Sequence, residues 1–199
     1  LQKMFLTGST IDIQLQHFHY FSLNSINSII PKNWSIENVI IISDFNMLIT
    51  ISRNKKNDKK ALLKKEELSL KKEKGTFLKK IKSSRNKLKK ILQTWKRKKM
   101  RIWFWGASTT IGNLISIHDI EKNYFEGIID SDTSKKFMRI PQVPDLQIVS
   151  PKKAKTKGVD AVLVTSIGGS KIIARTIKKL SWKIEHISLR DSKIILNKN

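Results

Sequence analysis

The sequence predicts an α/β fold. It has a small C-terminal domain on a parallel sheet, preceded by a long basic helix and, at the start, by a helix and a β-hairpin. Three observations predict it. Four short apolar runs, Ile102–Trp105, Phe125–Ile129, Ala161–Val164 and Ile184–Leu189, alternate with helical patterns, as in strands buried on both faces and joined by crossover helices. The segment Met100-Arg-Ile-Trp-Phe-Trp-Gly-Ala-Ser-Thr-Thr-Ile-Gly-Asn-Leu-Ile115 reads as a strand, a tight glycine turn and a helix start. Phe77, Ile81, Ser84, Leu88, Ile91 and Trp95 recur at steps of four and three, with Leu92 beside them, which makes one apolar stripe on a helix over 76–99.

The elements follow in order. Ser22 is a good N-cap for a helix that puts Leu23, Ile26, Ile29 and Ile30 on one face, and Pro31 stops it. Two β-rich runs come next, Ser35–Ser43 and Asn46–Arg53, with Ser43-Asp-Phe-Asn46 as the turn. A helix and a hairpin are too little to bury a core unaided. Asn54–Lys60 has no apolar face and reads as a loop; Ala61–Lys74 is ambiguous; the striped helix follows. Its opposite face is strongly basic, so packing must hold it against repulsion between lysines. In the last block a helix runs from about Thr109 to Ile117, Ser150-Pro151 caps a short helix to about Lys157, and Ser166-Ile-Gly-Gly-Ser170 opens a helix through Ile177. The order β-α-β-loop-α-β-α-β gives a Rossmann-like parallel sheet with right-handed crossovers. The expected organisation is therefore 1–53, a Lys-rich linker and amphipathic helix over 54–99, the Rossmann-like domain over 100–190, and a tail over 191–199.

Composition narrows the function classes. The net charge is +24, which invites a polyanion partner. Two facts weaken that inference. Lys, Ile and Asn make up 75 of 199 residues, the bias of AT-rich coding, and residues 55–101 alone carry +17. Nonspecific, salt-sensitive binding to polyanions is expected whatever the function. No apolar run approaches the ~20 residues of a transmembrane helix. The absence of cysteine excludes disulfides and thiolate metal sites and fits a cytoplasmic location. His17 and His19 stand two apart with no acidic or thiol cluster, so no metal site is expected.

The glycine turn is the candidate site. A strand–turn–helix aims backbone N–H groups at one spot, which suits a phosphate. Gly106, Ala107, Ser108 and Thr109 form the turn, and Asp130 closes the next apolar run 24 residues after Gly106, about where a carboxylate meets a ribose in a nucleotide-binding βαβ unit. Gly168, Gly169 and Ser170 would approach from a neighbouring strand end.

Two stretches resemble one family in the same order. Gln16-His-Phe-His-Tyr-Phe-Ser-Leu23, followed by a helix and a hairpin, resembles the last third of class I S-adenosylmethionine-dependent methyltransferases, which often read E-H-x-x-Y-F-S-x-x-S-L there. Trp105-Gly-Ala-Ser-Thr-Thr-Ile-Gly-Asn-Leu114 resembles the G-A-x-x-K-G-N-T-L turn in the C-terminal domain of sugar C-methyltransferases. Ile129-Asp130, Ser150-Pro151 and Val159-Asp-Ala-Val-Leu-Val164 match that family's V-D, S-P and P-D-x-V-L-V. The resemblance covers about residues 10–190. It implies that residues 1–53 close a catalytic domain and that the whole enzyme moves a methyl group from S-adenosylmethionine to a nucleotide-linked sugar or related small molecule.

Departures from the pattern bear on activity. In the family's Y-H-E-H-x-x-Y-F-S the tyrosine and second histidine serve base chemistry. Those four positions hold Gln14, Leu15, Gln16 and His17 here, so only His17 remains as a catalytic candidate. A glutamine amide cannot take a proton near neutral pH. The family lysine in the second motif is Ile111, and the glycine-rich segment after the second strand is Phe137-Met-Arg-Ile-Pro141. The methyl donor of the family binds upstream of Y-F-S, and Leu1 reads as a start inside a longer protein. Two alternatives stand beside this reading: a Rossmann module that holds a nucleotide or anion without chemistry, and a basic nucleic-acid-binding protein. The 199-residue chain alone is expected to bind no S-adenosylmethionine and to be inactive. Calorimetry should find no dissociation constant below about 100 μM, roughly 5.5 kcal/mol of binding.

Overall fold

The structure is a computed structural model. It describes residues 4–5, 10, 13, 19, 21–42, 47–53, 60–166, 169–190 and 193–197. The chain divides into two compact units, Leu1–Ser9 with Leu15–Lys80, and Thr10–Gln14 with Ile81–Asn199.

In the first unit, helix α1 (Leu23–Ile29) starts where the sequence places its cap. Ser22 Oγ accepts from the Ser25 N–H at 3.2 Å, and Ser25 Oγ accepts from the Ser22 N–H at 2.8 Å, so serine takes the place usually held by Glu or Gln in this reciprocal cap. Strands β1 (Trp34–Ile41) and β2 (Met47–Arg53) pair antiparallel, with a register shift between Ile36 and Asn38. The expected turn at 43–46 lies outside the described residues. Helix α2 (Lys60–Arg97) is far longer than the predicted 76–99 and absorbs the ambiguous stretch from Ala61. That stretch is rich in Lys, Glu and Leu, all good helix formers, and Lys71 pairs with Glu67 one turn away at 2.7 Å.

The second unit is a three-layer α/β/α sandwich. Its sheet contains β3 (Ile102–Trp105), β4 (Phe125–Ile129), β5 (Ile148–Val149), β6 (Ala161–Val164), β7 (Glu185–Arg190) and β8 (Lys193–Asn197) in the order β5-β4-β3-β6-β7-β8. The first five strands are parallel; β8 runs antiparallel to β7. Two expectations are corrected. The tail expected over 191–199 contains β8, paired from His186↔Asn197 to Arg190↔Lys193. Its Lys193-Ile-Ile-Leu-Asn197 is β-prone and finds the open edge of β7, a pairing that no local pattern announces. The loop expected before Ser150 contains β5, two residues long and too short to show a period.

Core residues divide by strand alternation. Ile102 and Phe104 point to one face with Leu88, Leu92 and Trp95 of α2 and with Ile111 and Leu114 of α3 (Thr110–Ser116). Trp103 and Trp105 point to the other, with Ala154 of α4 (Pro151–Lys157) and Ile173 and Ile177 of α5 (Ser170–Lys179). The C-terminal turns of α2 therefore act as a sheet-covering helix. Trp95 Nε1 donates to Glu185 Oε2 of β7 at 2.6 Å, and Lys89 pairs with Asp119 at 2.6 Å. Lys99, at φ 56°, ends α2: its N–H donates to Lys96 O and the Met100 N–H to Trp95 O, the paired closure usually made with glycine.

Asn113 Nδ2 donates to the Thr10 carbonyl at 2.6 Å, and His118 Nε2 lies 3.2 Å from Thr10 Oγ1, so the end of α3 holds the Thr10 residue in this unit. Before the N-terminal ends of the neighbouring strands β3 and β6, Arg101 forks onto Asp160 through Nε at 2.9 Å and Nη2 at 3.0 Å. The guanidinium lies where a side chain on Gly158 (φ 78°) would sit. Hydrogen bonding from Arg101 keeps the Asp160 carboxyl below its ordinary range.

Leu88 has no exposed surface. Leu88→Asp buries a carboxylate against β3 and should destabilise the chain by about 3 kcal/mol or more, read as a lower midpoint in urea unfolding followed by tryptophan fluorescence.

Candidate functional site

The strand order places β3 and β6 side by side while the chain leaves β3 toward β4 and later returns to β6. That is the switch point of a doubly wound sheet, and its crevice lies beyond the C-terminal ends of the strands. The loops after β3, β4 and β6 meet there.

Gly106 turns the chain at φ 108°, and its N–H donates to Ile129 O at 2.7 Å. A Cβ on Gly106 would lie 2.7 Å from Ser166 Cβ and 2.8 Å from the Ser166 nitrogen. Glycine is thus required by backbone conformation and by the approach of the two loops, before any ligand is considered. Thr165 Oγ1 donates to Trp105 O at 3.1 Å and, in a shorter contact, to Gly106 O. Ser108 Oγ donates to Thr165 O at 3.0 Å, so its proton is committed to the chain and only its lone pairs are left for a ligand. Thr109 is the N-cap of α3 in helical conformation, and its side chain makes no capping bond.

Asp130 enters the turn itself. Its Oδ2 accepts from the Ala107 N–H at 2.8 Å and from Lys135 Nζ at 3.1 Å, and its Oδ1 accepts from the Asp132 N–H at 2.9 Å. Lys135 Nζ also lies 3.4 Å from Ala107 O. A chain carboxylate therefore occupies one donor of the expected phosphate cradle, and a half-buried ammonium balances its charge. Oδ2 has both lone pairs used; Oδ1 retains one, enough to accept from a single hydroxyl.

Of the predicted residues, Gly106, Ala107, Ser108 and Asp130 meet in this network. Gly169 joins through Ser166, whose Oγ lies where a Gly169 side chain would begin. Ser170 begins α5. His17 and Gly168 lie outside the described residues. Sequence reasoning missed Lys135, Thr165 and Ser166. Lys135 sits in the 3-10 turn Thr133–Phe137, in a run of lysines where nothing local singles it out. Ile111, at the position of the family lysine, is fully buried in the core and carries no polar role. Among the described residues no group of three or more His, Asp or Glu could hold a metal, and no helix is long and apolar enough to cross a membrane.

A model of the C-methyltransferase C-terminal domain matches residues 47–187. The chain belongs to that family. A search of the curated proteins finds no match. The matched span runs from the first residue of β2 to within β7, so β8 lies outside it. The resemblance read from the glycine turn and the Val159–Val164 strand is borne out, as is the parallel α/β fold of this C-methyltransferase C-terminal domain.

One buried group beyond α3 has a pH consequence. His118 is fully buried after α3; burial first, then the charge of Arg85, pushes its pKa down to about 4. Its Nδ1 has no hydrogen-bond partner among the described residues. The folded state thus holds neutral imidazole, whereas the unfolded chain takes a proton below about pH 6.5. The contribution is complete above pH 6.5 and is lost as pH falls toward 4, by about 3 kcal/mol at most. Melting curves from pH 7 to 4.5 should fall less steeply for His118→Gln than for wild type.

Proposed function

We propose that this chain is the C-terminal portion of an S-adenosylmethionine-dependent methyltransferase acting on a nucleotide-linked sugar or related small molecule. Residues 1–53 close the catalytic domain, and the Rossmann-like domain from residue 100 holds the nucleotide end of the substrate. The single observation that carries the reading is the convergence of the β3, β4 and β6 loops at the switch point of a C-methyltransferase C-terminal domain. In this reading the substrate phosphate meets the backbone N–H groups of Ser108 and Thr109, with Gly106 shaping the turn. Ala107 contributes only where the phosphate displaces the Asp130 carboxylate, which frees Lys135 to pair with the phosphate. Asp130 Oδ1 accepts from one ribose hydroxyl, and the backbone at Gly169 and Ser170 closes the crevice from the β6 side. His17 is the remaining candidate for proton transfer in the catalytic portion.

S-adenosylmethionine supplies the methyl group of the whole enzyme in this reading. The crevice described above does not fit it. Backbone donors and the Lys135 ammonium favour an anion, whereas the donor carries a sulfonium cation. The fragment alone is accordingly read as inactive. A weaker, salt-sensitive attraction to polyanions rests on the exposed Lys82, Lys87, Lys90 and Lys96 along α2.

Thr109→Glu tests the site without breaking the fold. A carboxylate at a helix start complements the helix dipole and repels a phosphate. Calorimetric titration with a nucleoside-diphosphate sugar at moderate salt should give saturable binding to wild type and at least tenfold weaker binding to Thr109→Glu. Equal affinity in both, or no saturable binding to wild type, leaves a scaffold without a site.

A further inference from the structure

Phe137 is the most exposed of the large apolar side chains among the described residues, at 84%, and Met138 beside it is 53% exposed. Phe137 ends the 3-10 turn Thr133–Phe137, which follows the C-terminal end of β4. Two residues earlier in that turn, Lys135 reaches Asp130 Oδ2 and Ala107 O. The turn that displays the ring is thereby fastened to the candidate crevice.

The charged residues within two positions of Phe137 in the chain, Lys135, Lys136 and Arg139, are all cationic. Lys136 Nζ lies 5.3 Å from the Phe137 ring centroid, on one face of the ring, as cations favour. Arg139 is exposed on the other side of Met138, and its Nη1 donates to Met138 O at 3.2 Å. The segment from 133 to 144 holds no acidic residue and is bordered by Asp132 and Asp145; Asp132 accepts from Ser134, and Asp130 is tied to Lys135. A ring with one face held by an ammonium, flanked by further cations, suits a ligand that is both planar and anionic. A nucleotide joins those two properties in one molecule; a free sugar phosphate has only the second.

We propose that Phe137, with Met138 beside it, is the platform on which the base of the nucleotide stacks, and that Lys136 and Arg139 steer its anionic part toward the crevice. This rests on the proposed nucleotide-end site and adds the group that recognises the base. Stacking on an aromatic side chain is tolerant of base identity, so the platform selects nucleotide-linked substrates over plain sugar phosphates without choosing among bases.

The test compares uridine diphosphate with inorganic pyrophosphate, which carries charge but no base, by calorimetry on the full chain. Because Phe137 is exposed, Phe137→Ala and Phe137→Tyr should melt as wild type does. Wild type should bind uridine diphosphate more tightly than pyrophosphate. Phe137→Ala should lose about tenfold for uridine diphosphate and nothing for pyrophosphate, and Phe137→Tyr should retain wild-type affinity. Unchanged uridine diphosphate affinity in Phe137→Ala overturns the platform and leaves the nucleotide-end site standing. Equal loss for both ligands also overturns it, because the effect would then not come from the base. Failure of wild type to bind either ligand removes the site and the platform together.

Discussion

Strand β3 has no face left for water. Ile102, Trp103, Phe104 and Trp105 are all buried, so a helical layer must lie on each side of the sheet. On one side α4 and α5 supply it. On the other, the crossover helix α3 is only seven residues long, too short to cover five parallel strands. The end of α2 fills the gap with Leu88, Leu92 and Trp95, each contributing on the order of 2 kcal/mol by burial. This need explains why so cationic a segment is helical. Repulsion among its lysines opposes the helix, and the contact of its apolar stripe with β3 offsets that repulsion.

The same strand positions the site. Its last residue, Trp105, must be buried while the next must turn away without striking β6, and only a glycine at φ 108° satisfies both. The turn thus exists for packing reasons, and the exposed N–H groups at the start of α3 follow from it. Asp130 settles the electrostatics. By accepting from Ala107 it gives a half-buried donor a partner, and Lys135 neutralises the charge this brings into the turn. The Ala107 donor is therefore already satisfied within the chain. A ligand there competes with a carboxylate of the chain itself, so affinity depends on how well its own charge replaces that of Asp130 against Lys135.

Much of this molecule is legible in the chain itself. Strands β3, β4 and β6, the N-caps at Ser22 and Ser150, the glycine turn and the apolar stripe follow from residue type and spacing, because each is a local preference or a period that one segment expresses alone. The family likewise shows in short motifs around Gly106 and Val159. What the chain hides lies between segments. The edge strand β8 depends on whether β7 has a free side, and β5 is defined by its partner β4 and not by its own two residues.

The candidate site divides the same way. Gly106, Ala107 and Asp130 could be named from the sequence because a strand–turn–helix with an acid at the end of the next strand is a spacing pattern. That Asp130 accepts from the Ala107 N–H of the turn, that Lys135 joins it, and that Gly106 is needed to clear Ser166, were decided by tertiary structure. These depend on distances between loops 20 to 60 residues apart, set by strand order and register. Sequence alone determined the α/β architecture and the family. The three-dimensional fold decided which hydrogen-bonding groups at the switch point are already paired and which remain for a ligand, because pairing is a property of positions in space and not of order along the chain.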